Sequence, residues 1–154
     1  MLARLLILLL LVVSPALADE IFVVTGLQVE VTELTQKRLE NIFLKKTLVN
    51  QQGNRWIPLN LSPDHPLRQA FSQSLFQQRP EDMEAYWNSQ YFQGITPPYV
   101  VASEIAMLRF IASTVGAIGY ILPCHLDDSV QVVFKLKVQT PVEKNCTPLN
   151  PTPQ

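Results

Sequence analysis

The run Ser62-Pro63-Asp64-His65-Pro66-Leu67-Arg68 sets a hydroxyl, a carboxylate, an imidazole and a guanidinium beside one another. Pro63 cannot continue a strand interior, and Pro66 suits the first position of a helix, where its missing N–H costs nothing. Asp64 or His65 would then be the N-cap. The backbone N–H groups of Leu67 and Arg68 would lie at the positive end of the helix dipole. Together with the Ser62 hydroxyl, the Asp64 carboxyl and the Arg68 charge, they form the parts of an anion-binding turn. Ser103, at a second helix start, is a further contributor. The plainer reading of the same residues is capping: Asp64 and Ser103 satisfy helix ends, and Arg68 lies on a solvated helix face.

Other chemistries find less support. His65 and His125 are the only histidines; one stands at a helix cap and the other beside a cysteine. No serine sits in a nucleophile-elbow setting, no pair of acids is fixed by a motif, and there is no Gly-rich phosphate loop. A non-enzyme is therefore expected, with no cofactor. The two cysteines, Cys124 and Cys146, are most simply a disulfide in an oxidising location. Cys124, His125 and Cys146 fit no standard zinc spacing, so no metal is expected.

The elements that must position this turn can be read from hydrophobic periodicity. Trp56 to Leu61 is a buried strand delivered by the turn Gln51-Gln52-Gly53-Asn54. Leu67, Ala70, Phe71 and Leu75 then recur at helical spacing, from Pro66 to about Phe76. Upstream, Ile21 to Val24 reads as a first strand punctuated by Gly26, and Leu27 to Val31 as a second, weaker one. Thr35 caps a helix from Gln36 to about Leu44, closed by Lys45-Lys46. Downstream, Pro80-Glu81-Asp82 starts a helix that ends near Phe92, with Met83, Tyr86, Trp87 and Tyr91 on one stripe facing the core. Ser103 starts another helix, with Ile105, Leu108, Ile111 and Ala112 as its apolar face and Val115-Gly116 at its end. Ala117 to Leu122 is a buried strand whose Gly119 implies close backbone approach. Val130 to Val138 is the last strand, with Val132, Phe134, Leu136 and Val138 inward and Lys135 and Lys137 outward. Helices mixed with strands in one domain give an α/β sandwich.

The chain has 154 residues and a net charge of −1. It begins with Arg4, an apolar run from Leu5 to Val13 and then Ser14-Pro15-Ala16-Leu17-Ala18, the pattern of a signal peptide cleaved after residue 18. The run is short for a membrane span, so no membrane association is expected after cleavage. Removing the leader takes away Arg4 alone among the charges, and the slightly acidic balance excludes a nucleic-acid surface. Residues 19–140 form one domain, and residues 141–154 a Pro-rich tail.

Asn41-Ile42-Phe43-Leu44-Lys45-Lys46, then Trp56, then Arg68-Gln69-Ala70-Phe71, Tyr86-Trp87 and Gly116-Ala117-Ile118-Gly119-Tyr120 occur in a characteristic order. The order resembles one lobe of the type II periplasmic phosphate-binding proteins of ABC transporters. It is more similar still to the small stand-alone proteins with a PBP-like domain, over about Thr35 to Leu122. The resemblance implies a single-lobe, three-layer α/β sandwich with a central mixed sheet, a periplasmic location, and phosphate or another small anion as ligand. In the full-length family, the turn before this helix holds phosphate with an Arg, an Asp and a Ser-Gly-Thr run. Here Asp64 alone is kept in kind, Ser62 stands near the Arg position, Pro66 removes a backbone donor, and Leu67-Arg68 replace Gly-Thr. A single lobe leaves the ligand open to water and implies weak binding, a cleft completed by a second copy, or a protein-interaction role in which an envelope partner docks on Trp87, Tyr91, Phe92 and Tyr99.

Overall fold

The computed structural model describes residues 19–30, 34–138 and 142. The leader, Val31, the tail and Cys146 lie outside the described residues. Five strands form one mixed sheet in the order β3-β2-β4-β1-β5: β1 Glu20–Gly26, β2 Ile57–Asn60, β3 Tyr99–Val100, β4 Ala117–Ile121 and β5 Val130–Lys137. β2 runs parallel to β3 and β4. β1 lies antiparallel between β4 and β5, with a register shift against β5 between Val23 and Val24.

The described residues form four α-helices, α1 Gln36–Phe43, α2 Pro66–Phe76, α3 Glu84–Tyr91 and α4 Glu104–Ser113, of which α1, α2 and α4 cover the sheet and α3 lies at the periphery. Neighbouring residues of a strand point to opposite faces, and β4 shows what covers each. Tyr120 meets the helical side of α1 and α2, stacked on Phe71 at 3.8 Å between centroids and tilted on Phe43 at 6.1 Å. Gly119 meets α4: a Cβ added there would lie 2.5 Å from Met107 Sδ and 3.0 Å from Ile111 Cδ1. The close approach expected at Gly119 is therefore what seats α4 on the sheet. Helices on both faces make the three-layer α/β sandwich, and all five residues of β4 are buried.

The caps follow the sequence. Thr35 accepts from the Arg38 N–H at 3.2 Å and Ser103 from the Ala106 N–H at 3.1 Å, each satisfying one orphan donor. Two elements depart from expectation. Leu27 and Gln28 form a turn closed by Val29 N–H on Gly26 O at 3.1 Å, so Leu27 to Glu30 is not strand. The helix after Pro80 begins as a 3-10 turn over Glu81–Met83, and α3 itself buries no residue. Of the expected core stripe Met83 is buried, Tyr86 and Trp87 are half-buried, and Tyr91 is exposed. Glu84, Asn88, Ser89 and Gln90 leave α3 polar around most of its girth, and it is tied to the body by Tyr86 Oη donating to Leu44 O at 2.8 Å.

Candidate functional site

Because β2 and β3 are parallel and paired at Leu59–Tyr99 and Asn60–Val100, the turns that leave them open on the same sheet edge. Ligands of open α/β sheets bind outside such carboxyl ends. The N-termini of α2 and α4 both stand there.

His65 is the N-cap of α2, its Nδ1 accepting from the Leu67 N–H at 3.2 Å. Of the two caps weighed from the sequence, the imidazole takes the role. The Leu67 N–H is thus engaged within the protein. Asp64 is exposed and instead accepts a short hydrogen bond from Ser62 Oγ. That hydroxyl, with Asp64's own backbone N–H, holds the carboxyl below the usual carboxylate range. Asp64 is therefore ionised at neutral pH and repels an anion.

Arg68 is the main correction. A solvated helix face is the plainer expectation from sequence, but the side chain is 7% exposed. Its Nη1 donates a short hydrogen bond to Asn60 Oδ1, and its Nε is buried without a partner among the described residues. The Tyr120 hydroxyl completes the group, accepting from the Leu61 N–H at 3.1 Å and lying 3.4 Å from Asn60 Oδ1. Burial pushes the Tyr120 phenol up to about 12, against the pull of Arg68 and the Leu61 N–H, with Glu104 adding to the rise. An arginine this deep costs several kcal/mol in desolvation unless its donors are bonded; Asn60 supplies one bond and the neutral phenol avoids a second charge.

A second buried pair lies beside the first. Glu104, in the first turn of α4, accepts from the Leu122 N–H at 2.7 Å and meets His125 Nδ1 at 2.9 Å. This pins the 3-10 turn Pro123–His125 against α4. The Nε2 of His125 is buried without a partner among the described residues. Ser103 is committed to its cap on Ala106.

The site residues therefore do not converge on one point through direct bonds. Ser62 and Asp64 pair with each other, Leu67 with His65, and Arg68 with Asn60. Asn60, Tyr120 and Glu104 were missed from the sequence. The one signal they carried was a polar side chain at the end of an apolar strand or in the first turn of an apolar helix.

The chain matches no protein-family model and no curated protein. Solved structures do match. An ABC-type phosphate transport receptor from Vibrio cholerae shares 19% identity with a TM-score of 0.62, over 75% of this chain and 45% of that one. A phosphate ABC transporter substrate-binding protein from Clostridium perfringens, solved with bound phosphate, shares 18% with a TM-score of 0.61, over 75% and 44%. PstS from Borrelia burgdorferi shares 13% with a TM-score of 0.54, over 78% and 55%. The chain thus spans about half the length of the structures it matches. Its fold is that of one lobe of a periplasmic-binding-protein architecture, as built by the substrate-binding proteins of phosphate ABC transporters.

Proposed function

We propose that this chain is an exported, non-catalytic module of the substrate-binding-protein type that takes phosphate or another small anion weakly at the turn before Pro66. The observation that carries the reading is Arg68. A buried guanidinium in the first turn of α2, at the carboxyl end of β2, bonds Asn60 beside the Tyr120 hydroxyl and keeps an Nε without a partner among the described residues. With it would act the Arg68 N–H and, on exchanging their present partners for the ligand, Ser62, the Leu67 N–H and Ser103 on the same edge. Affinity is limited by the exposed Asp64 carboxylate and by water: two charges 4 Å apart interact by only about 1 kcal/mol in bulk water. The leader pattern supports export, and the fold likeness supports a periplasmic setting. An oxidising compartment would pair Cys124 with Cys146, and the folded unit would span residues 19–140.

A second reading is favoured by surface composition. Phe92 is 89% exposed, with Tyr91 at 67% and Tyr99 at 65%. In this reading the chain has lost solute binding and is an accessory subunit, docking through these aromatics to an envelope protein or to a second copy that completes the cleft.

Isothermal titration with phosphate at low ionic strength tests the first reading. Saturable heat is expected from the protein, abolished in Arg68→Ala and retained or strengthened in Asp64→Ala. Absence of heat and of any thermal shift at millimolar phosphate sinks anion capture and leaves the docking reading.

A further inference from the structure

At the opposite end of α2 from the Pro66 turn, a cavity of about 240 Å³ opens between the C-terminal ends of α1 and α2 and the start of α3. The length of α2 sets the two places about 16 Å apart. The cavity therefore belongs to neither Arg68 nor the β2–β3 edge, and its chemistry is independent of anion capture at that edge.

Its floor is apolar: Leu75 and Met83 are buried. Its wall is the ring of Tyr86, fixed by the hydrogen bond from Oη to Leu44 O at 2.8 Å. Its polar lining carries both signs of charge. Lys46 holds its ammonium 5.8 Å from the Tyr86 ring centroid, within cation–π reach, and pairs with no carboxylate among the described residues. Glu40 lines the same cavity and gives its Oε2 to Lys37 at 2.8 Å. No ion pair joins Glu40 to Lys46. The C-terminal ends of α1 and α2 add the negative ends of two helix dipoles, which favour a cation. One cavity thus offers a cation for a carboxylate, a carboxylate and two helix ends for an ammonium, and an apolar floor.

The geometry points to a binding site for a small zwitterion with an apolar side chain, the chemistry of a free aliphatic α-amino acid. The ligand carboxylate would meet Lys46, its ammonium Glu40 and the helix ends, and its side chain Leu75 and Met83. The volume equals that of about eight waters in the liquid and falls below the ~300 Å³ at which drug-sized sites begin. That leaves room for one amino acid.

L-leucine is the probe, followed by titration calorimetry and thermal shift on the full chain. Saturable binding in the millimolar range is expected. It should weaken about tenfold or more for 4-methylpentanoate, which lacks the ammonium, and for 3-methylbutan-1-amine, which lacks the carboxylate, since a hydrogen bond to a charged group carries that much, and for glycine, which lacks the side chain, since burying an aliphatic side chain carries as much. Lys46→Gln and Glu40→Gln should weaken leucine by a similar factor, whereas Asp64→Ala should leave it unchanged and phosphate should not compete. The proposal is overturned by no heat up to tens of millimolar leucine, by analogues that bind as well as leucine, or by either charge-deleted variant binding it unchanged. The analogue series needs no mutant, so a variant that fails to fold does not rescue the idea.

Discussion

Replacing Gly116 by Ala should cost far more than the one methyl it adds. Gly116 has φ of +83°, and a Cβ built on it would lie 2.1 Å from the Arg55 carbonyl oxygen. An L-residue with left-handed backbone costs roughly 1–2 kcal/mol. Relief of the contact must come from backbone, because Arg55 O is not the tip of a flexible side chain. The available movement pulls Gly116 away from β2, and Gly116 O is the acceptor of the Ile57 N–H at 2.8 Å. Losing that bond at a half-buried donor adds about 1–3 kcal/mol. Stiffening the unfolded chain returns about 0.4–1 kcal/mol. The expected net loss is about 3 kcal/mol, a large share of a typical stability of about 5–15 kcal/mol. Gly53→Ala is the control. Its φ is +81° but the added carbon meets nothing within 4 Å beyond its chain neighbours, so only the left-handed cost less the unfolded-chain gain remains, about 1 kcal/mol. Urea unfolding followed by tryptophan fluorescence reports the difference, since the buried Trp56 adjoins Arg55. Equal losses in the two variants, at equal denaturant slopes, would refute the claim that close approach at Gly116 holds the β2–β4 pairing in place.

Three further outcomes are expected. The Tyr120 phenol is held at about 12, above the ordinary value of 10.0. A raised folded value means its stability is fully present below pH 10 and lost between pH 10 and 12. The loss is about 2–3 kcal/mol, and the difference between the protein and Tyr120→Phe should appear in that window of an alkaline unfolding series; parallel curves would count against it. His65→Ala removes the α2 cap at a cost of about 1 kcal/mol, a fall of a few degrees in Tm, while freeing the Leu67 N–H. Phosphate heat should therefore survive this change, and its disappearance would place His65 in the ligand's path. Cys146→Ser, or reduction, should cost about 3 kcal/mol if the proposed Cys124–Cys146 pair closes its loop, and stability insensitive to reductant would remove that pair.

Local signals were legible where the physics is local. The strand from Ile57, the stop at Pro63, Pro66 at the first helical position and the Thr35 and Ser103 caps all depend on a residue and its immediate neighbours; the close approach at Gly119 was legible because a glycine inside a buried strand marks it, whatever helix fills the space. Arg68 was not legible, because its burial is decided by Asn60 and by Tyr120, which lies far along the chain. Leu67, Arg68, Phe71, Ser72 and Leu75 are all buried on α2, a stripe wide enough to include two polar positions that a narrower apolar pattern leaves outside. The aromatic residues of α3 misled for the opposite reason: their spacing fits a core face, but the helix lies at the periphery and presents Tyr91 and Phe92 to water. The short run after Gly26 has strand-forming residues but turns at once on a hydrogen bond back to Gly26.

The placement of β1 has a consequence for how the chain is made. The first strand is hydrogen-bonded on both sides, and both partners come late: Val24 pairs with Gly119 on one side and with Val132 on the other. A ribosome adding roughly 5–20 residues per second leaves β1 without either neighbour for roughly 5–20 s. During that interval the sheet has a gap at the position that most of its pairing depends on. Contacts this distant in sequence also slow the search once synthesis is complete. The sheet therefore stays open until β4 and β5 are available, and it closes by inserting β1, the earliest of the described strands, between the two latest.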